Sequence, residues 1–244
     1  LLDGGSTPSG LPYLVMEYVE GEPIDTYCNR NALGTRERLR LFHKICSAVQ
    51  YAHQKLVVHR DLKPSNLLVT GEGEPKLLDF GIAKLLDTAD LDQTILKTHV
   101  EARLHTPQYS SPEQLEGKQV STATDVYALG VVLYELLTGS RPYGNEPTDR
   151  ISIERAIMKA EPRPPSVSVG GSGPVSGKGE TGLDSRRVKK ELAGDLDNII
   201  MMALRKEPER RYQSAAQFAA DINNFLEQRP VVARPTSWSY RSGK

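Results

Sequence analysis

The longest strongly apolar run in the chain, Val126 to Leu137, places the first constraint on its fold. At twelve residues, interrupted by Tyr127, Gly130 and Glu135, it falls short of the roughly 20 residues that a bilayer-spanning helix needs. A helix that is apolar on every side has to be enclosed by other elements. The run therefore predicts a buried central helix, and the 244 residues of the chain suffice to wrap it in a single compact unit.

The rest of the sequence supplies such a wrapping. Thr35-x-x-Arg38 leads into Leu39, Leu41, Phe42, Ile45, Val49 and Ala52, apolar positions three and four apart that mark one face of a long helix. Helical patterns recur from about Arg150 to Lys159, from Asp195 to Leu204 and from Ser214 to Leu226. Leu11 to Val19, after the glycine-rich turn chemistry of Gly4 to Gly10, reads as a strand. Asn66 to Thr70 and Pro75 to Leu78 read as a small hairpin joined by Gly71 to Glu74. The expected class is α+β, mainly helical with a small amount of sheet. Between Pro162 and Asp184 the composition shifts to Pro, Gly, Ser and Val, which predicts a flexible insertion. Its Ser176-Gly177-Lys178-Gly179 is not a phosphate-binding loop, because no Gly stands five before Gly177 and no Ser or Thr follows Lys178.

Composition excludes some functions. Lys plus Arg and Asp plus Glu number 31 each, so no overall basic field exists to hold nucleic acid or an anionic membrane surface. Cys28 and Cys46 are the only cysteines and sit in no metal-binding or disulfide spacing, which fits a reducing, cytoplasmic setting.

The chemically specific stretch is His59-Arg60-Asp61-Leu62-Lys63-Pro64-Ser65-Asn66, followed by Asp79-Phe80-Gly81. Phosphoryl transfer requires an oriented hydroxyl, cations on the phosphates and positive charge where negative charge accumulates. Asp61 suits the orientation of a hydroxyl proton, and Lys63 could place its ammonium beside the transferred oxygens. Asn66 and Asp79 offer the hard oxygen ligands that magnesium prefers, and Pro64 restricts the loop. Singly, each is an ordinary turn residue. Jointly, an H-R-D-L-x-x-x-N string followed by D-F-G resembles the signature of protein kinases.

That resemblance extends over nearly the whole chain and implies a protein-kinase-like fold, most of it the helical C-lobe. By it, 1–22 is a remnant of the N-lobe strands and hinge, 23–228 the C-lobe with its insertion at about 162–184, and 229–244 a C-terminal tail. It also implies ATP with Mg2+ or Mn2+ as cofactors and Ser/Thr-bearing proteins as substrates. Met16 is then the gatekeeper, the Glu17 carbonyl and Val19 amide meet the adenine, and Leu68 packs beneath it. Asp61, Lys63 and Asn66 are catalytic, with Asn66 and Asp79 on the metal. Phe80 and Gly81 complete the motif that Asp79 opens. His59 belongs to the catalytic loop, and Arg60 would pair with a phosphate on Thr88, Thr94 or Thr98. Thr106-Pro107-Gln108-Tyr109-Ser110-Ser111-Pro112-Glu113 resembles the end of an activation segment, with Ser111 in place of the usual Ala. Glu113 is expected to pair with Arg211, and Asp125 to brace the catalytic loop through backbone hydrogen bonds. Lys63 and Thr106 point to serine/threonine specificity.

Asp195-Leu196-Asp197-Asn198-Ile199-Ile200 and the closing Ala233 to Arg241 stretch resemble bacterial eukaryotic-type kinases. In such proteins a membrane span or a repeat domain often follows, so the parent protein is a candidate for anchoring, although this chain carries no membrane segment. The glycine-rich loop, strand lysine and helix glutamate of active kinases cannot be assigned, and the first residue is Leu. The expectation is a chain truncated at its start, nearly inert alone, with a binding-only scaffold as the competing reading. A small-molecule kinase of the antibiotic-phosphorylating kind shares the Asp-x-x-x-x-Asn loop, but the Ser-Pro-Glu segment and the Asp125 motif argue against it.

Overall fold

The computed structural model describes residues 2–8, 12–78, 107–145, 149–169 and 185–233. Strands β1 (Asp3–Ser6) and β2 (Pro12–Val15) form an antiparallel hairpin with Asp3 opposite Val15 and Ser6 opposite Pro12. Strand β3 (Glu22–Pro23) runs directly into α1 (Ile24–Arg30), which is followed by α2 (Thr35–Gln54). A single 3-10 turn at Pro64–Asn66 then delivers the chain into β4 (Leu67–Val69) and β5 (Pro75–Leu77). Beyond residue 106 come α3 (Pro112–Leu115), α4 (Thr122–Thr138), α5 (Arg150–Lys159), α6 (Pro165–Ser168), α7 (Ser185–Leu192), α8 (Asp195–Ala203) and α9 (Ala215–Leu226).

Helix α4 is the enclosed helix that its composition demands: every residue from Ala123 to Tyr134 is buried. Ser121 caps its start by accepting from Ala123 N, and Gly139 ends it at φ 70°, a left-handed position that glycine enters without steric cost. Helix α8 lies so close that a Cβ on Gly130 would sit 2.9 Å from the Ala203 Cβ. Helix α2 presents Leu39, Phe42, Ile45, Cys46 and Val49 to the core, and burying side chains of this size contributes about 1.5–3 kcal/mol each. Phe42 meets Phe218 of α9 edge to face at 5.7 Å, and Tyr212 stacks on Phe218 at 5.1 Å. The buried Arg38 ties three helices together, donating to Leu136 O of α4 at 2.7 Å, Leu33 O at 2.8 Å and Asn29 Oδ1 at 2.9 Å.

The sequence expectations and the observed elements differ in instructive places. The strand expected over Leu11 to Val19 is observed at Pro12–Val15, and its partner is Asp3–Ser6, which overlaps the stretch from Gly4 to Gly10 read as turn chemistry. Backbone pairing alone holds Gly4 and Gly5 extended, since they have no side chains to announce a strand. The expected small hairpin is present, but it gains β3 as a third strand, with Glu22 opposite Val69 and Pro23 opposite Leu68. Within the expected insertion, Pro165–Ser168 is helical and Ser166 is fixed by Asp197, its N–H donating to Oδ1 at 2.9 Å and its hydroxyl to Oδ2 at 2.6 Å. The Ser176 to Gly179 stretch lies outside the described residues.

Candidate active site

Between α2 and β4 the chain runs without regular structure through His59 to Lys63, and the hydrogen bonds of this loop come from elsewhere. Asp125, fully buried in the first turn of α4, accepts from His59 N at 2.8 Å on Oδ2 and from Arg60 N at 2.9 Å on Oδ1. His53, at the end of α2, adds its Nε2 at 2.7 Å from Oδ2. Arg60 has φ 68°, a left-handed conformation that costs a non-glycine residue about 1–2 kcal/mol. Asp125 holds the N–H side of that residue, and Gln114 of α3 holds the other by donating Nε2 to Arg60 O at 2.8 Å.

His59 is a structural member of the loop. Its Nε2 donates to Leu78 O at 2.7 Å, leaving Nδ1 to accept from Asp61 N at 3.4 Å. Burial holds its imidazole below the usual histidine range, more strongly than the Asp125 carboxylate raises it. The neutral ring can therefore donate on one side and accept on the other.

The half-exposed groups sit at the end of this frame. Lys63 Nζ donates to Asp61 Oδ2 at 2.7 Å, the two side chains being 20% and 25% exposed. Asn66, held by the 3-10 turn, donates Nδ2 to Asp61 O at 2.8 Å and to Asp61 Oδ2 at 3.1 Å. One carboxylate, one ammonium and one amide thus converge within hydrogen-bonding distance, with the carboxylate open to solvent. Because the Asn66 nitrogen is committed to Asp61, its Oδ1 is the atom with which it could ligate a cation. Asp79, Phe80, Gly81, Thr106, Thr88, Thr94 and Thr98 lie outside the described residues.

Of the residues expected around adenine, Leu68 lies on β4, and the backbone a few residues after Met16, Glu17 and Val19 pairs with that strand through β3. Its pairing with β4 puts Pro23 opposite Leu68, and the Gly21 backbone presses against the same strand, where a Cβ would meet Val69 O at 2.9 Å. Met16 and Glu17 are exposed, and Val19 and Leu68 are half-buried.

Below the loop, Glu113 and Arg211 form a bidentate pair, Nη1 to Oε1 at 2.7 Å and Nη2 to Oε2 at 2.8 Å. Arg211 donates its remaining N–H groups to Arg205 O at 2.6 Å, Ala123 O at 2.9 Å and Lys206 O at 2.8 Å. Its guanidinium also lies 4.9 Å over the Tyr127 ring. Burial alone would raise the Glu113 carboxyl, but the hydrogen bonds and charge of Arg211 outweigh it and hold the group below the usual carboxylate range.

Residues that sequence reasoning missed are those whose partners lie far along the chain: His53, Gln114, Arg38, and the hydrogen bond from the Tyr109 hydroxyl to Glu135 Oε2. A buried polar residue in an apolar helical face, such as Arg38 or His53, is the one signal that could have marked them. Beside Tyr109, Gln108, Arg141, Tyr143, Gly144, Ile153 and Ile157 line a small hollow open to solvent.

Comparison with known proteins agrees with this arrangement. The family model described as protein kinase domain matches residues 8–222. The chain is 36% identical over 230 residues to the serine/threonine-protein kinase PknB of Mycobacterium tuberculosis, covering 93% of this chain and 32% of that protein. It is 34% identical over 235 residues to a probable serine/threonine-protein kinase of Streptomyces coelicolor, covering 96% of this chain and 31% of that one. The chain thus spans about a third of the length of the curated relatives it matches. With a match of that extent and a loop braced from α4 as described, this chain belongs to the protein kinase domain family.

Proposed function

We propose that this domain transfers the γ-phosphoryl group of ATP to serine and threonine hydroxyls of proteins, and that Asp61, Lys63 and Asn66 carry the reaction. The observation that supports it most is the convergence of Lys63 Nζ and Asn66 Nδ2 on an accessible Asp61 carboxylate, in a loop whose backbone is fixed by Asp125. Asp61 orients the incoming hydroxyl and takes its proton as the oxygen–phosphorus bond forms and the bond to the departing ADP breaks. Lys63, paired with Asp61 in this structure, stands where its ammonium can turn to the transferred oxygens. Asn66 Oδ1 and Asp79 would hold a magnesium or manganese ion, which supplies charge neutralisation on the phosphates.

The stretch Met16, Glu17 and Val19 receives the adenine above Leu68 in the same reading, favoured by the closeness of Gly21 to β4. In the same reading Arg60 pairs with a phosphate on the segment between Gly81 and Thr106, Thr106 goes with serine/threonine specificity, and Phe80 and Gly81 complete the motif opened by Asp79. A protein substrate is favoured over a small molecule by the relatives, which are named serine/threonine-protein kinases. A reducing compartment suits the two cysteines, which are free and buried, with burial pushing the Cys28 thiol up to about 11. Among the described residues no helix is long and apolar enough to cross a membrane.

The test is phosphate transfer from labelled ATP by the protein at its full natural length, offered Ser, Thr and Tyr peptides and an aminoglycoside. Label on Ser or Thr, lost in Asp61→Asn by a factor on the order of 10²–10⁴, is the expected result. Label on the aminoglycoside, or equal transfer by Asp61→Asn, overturns the proposal.

A further inference from the structure

The C-terminal end of α2 carries an apolar patch on the described surface: Tyr51 is 64% exposed, Leu56 93% and Val57 38%. Leu56 also has φ 61°, a left-handed backbone that costs a leucine about 1–2 kcal/mol and that glycine or asparagine adopts readily. Three apolar side chains exposed within seven positions, one of them on a strained backbone, form a surface suited to docking an apolar segment.

The last described residues run back in the direction of this surface. Helix α9 packs against α2 in the opposite direction, with Arg36 Nη2 donating to Leu226 O at one end and Ala216 N donating to Gln50 Oε1 at 3.1 Å at the other. After α9 the chain doubles back: Arg229 N donates to Asn224 O at 2.7 Å, and Val232 N and Ala233 N donate to the two carboxylate oxygens of Asp221 at 2.6 and 2.9 Å. Asp221 is buried and also accepts from the Tyr212 hydroxyl at 2.8 Å, and Val231 and Ala233 are buried beside it. Residues 229–233 therefore run back along α9 in the direction of Ala216, whose hydrogen-bond partner Gln50 immediately precedes Tyr51 and stands six residues before Leu56. From Asp221 to Ala216 is about 7.5 Å of helix, and from Gln50 to Leu56 about 9 Å more. The remaining residues, 234–244, can extend about 35 Å, and they contain Trp238 and Tyr240.

We propose that the segment 234–244 docks on the patch formed by Tyr51, Leu56 and Val57, with Trp238 as its anchor. The exit of the chain is thereby fastened to the end of the helix that leads, two residues after Val57, into His59 and the catalytic loop. Whatever follows the domain acquires a fixed orientation to it, without contact with the reacting groups.

Trp238 is the one tryptophan of the chain, so its fluorescence reads the contact directly. In the 244-residue chain its emission is expected to be blue-shifted and protected from acrylamide. Leu56→Asn, which suits the left-handed backbone, and Tyr51→Ala, at an exposed position, should each shift it to the red and restore quenching, with unchanged circular dichroism. Emission typical of free indole in the unmodified chain overturns the proposal. So does protection that survives both substitutions, or protection that disappears on dilution, which would place a second copy on the patch.

Discussion

Two ion pairs of identical length divide the molecule into a part that is sealed and a part that is open. Arg211 and Glu113 meet at 2.7 Å with side-chain exposures of 0% and 6%, and Lys63 and Asp61 meet at 2.7 Å with exposures of 20% and 25%. In the first, the guanidinium has five N–H donors and each finds an acceptor. In the second, solvent can reach the carboxylate, and the ammonium has a partner it can leave. Equal distances thus serve opposite ends: a saturated pair resists exchange of partners, and an unsaturated one invites it.

The strongest way to break this comparison is to alter each pair and read both activity and stability. Asp61→Asn should lower phosphate transfer by on the order of 10²–10⁴ while leaving the urea midpoint of unfolding nearly unchanged. A large loss of stability would mean that the open pair is structural after all. Arg211→Ala should instead destabilise the fold by about 3–5 kcal/mol, because it strands a buried carboxylate, and Arg211→Lys should recover only part of that, since an ammonium cannot reproduce the planar fork. Chemical denaturation of the two variants checks both statements.

Acid should separate the two regions in sequence. His59 is held below its ordinary value of about 6.5, so the unfolded chain takes up a proton first. The stability contributed by the neutral ring is present above about pH 6.5 and declines as pH falls toward the lowered folded value. Glu113 is also held low, so its contribution is present above its unfolded value of about 4.3 and is lost only below that. Urea midpoints taken from pH 7.5 to 3.5 should fall in two stages, and His59→Gln should flatten the first alone. The smallest effect belongs to the surface pair of Lys44 and Glu74, 2.5 Å apart with side-chain exposures of 49% and 56%. Lys44→Ala should cost less than about 1 kcal/mol, and the residual effect should fade in high salt.

Much of the helical body was legible because its apolar residues repeat at helical spacing: α2, α5, α8 and α9 stand within a residue or two of where their patterns put them, and α4 extends the apolar run by four residues at its start and one at its end. The strands were read less well. A two-residue strand such as Glu22–Pro23 has no room for a period, and Gly4 and Gly5 have no side chains to carry one. At the site, the short-range string from His59 to Asn66 announced itself through residue type and spacing. The supports of that string did not: His53 to Asp125 and Gln114 to Arg60 are contacts across 72 and 54 positions, and one sequence contains no record of such pairings. Leu56 shows a subtler gap. Nothing in a leucine within Lys55-Leu56-Val57 signals a left-handed backbone, because the conformation is imposed by the sharp exit from α2, where Leu56 N donates to His53 O at 3.0 Å and Val57 N to Ala52 O at 3.0 Å.

The two hydrogen bonds that clasp the catalytic loop from either side have a consequence for chain length. His59 grips Leu78 O, and Gln114, just past the Ser-Pro-Glu turn, grips Arg60 O. Leu78 and Gln114 are thereby moored to the same short loop from the two sides of 79–106. The distance between those two points is set by the fold of the described residues, so the geometry of the loop they frame does not rest on how many residues connect them.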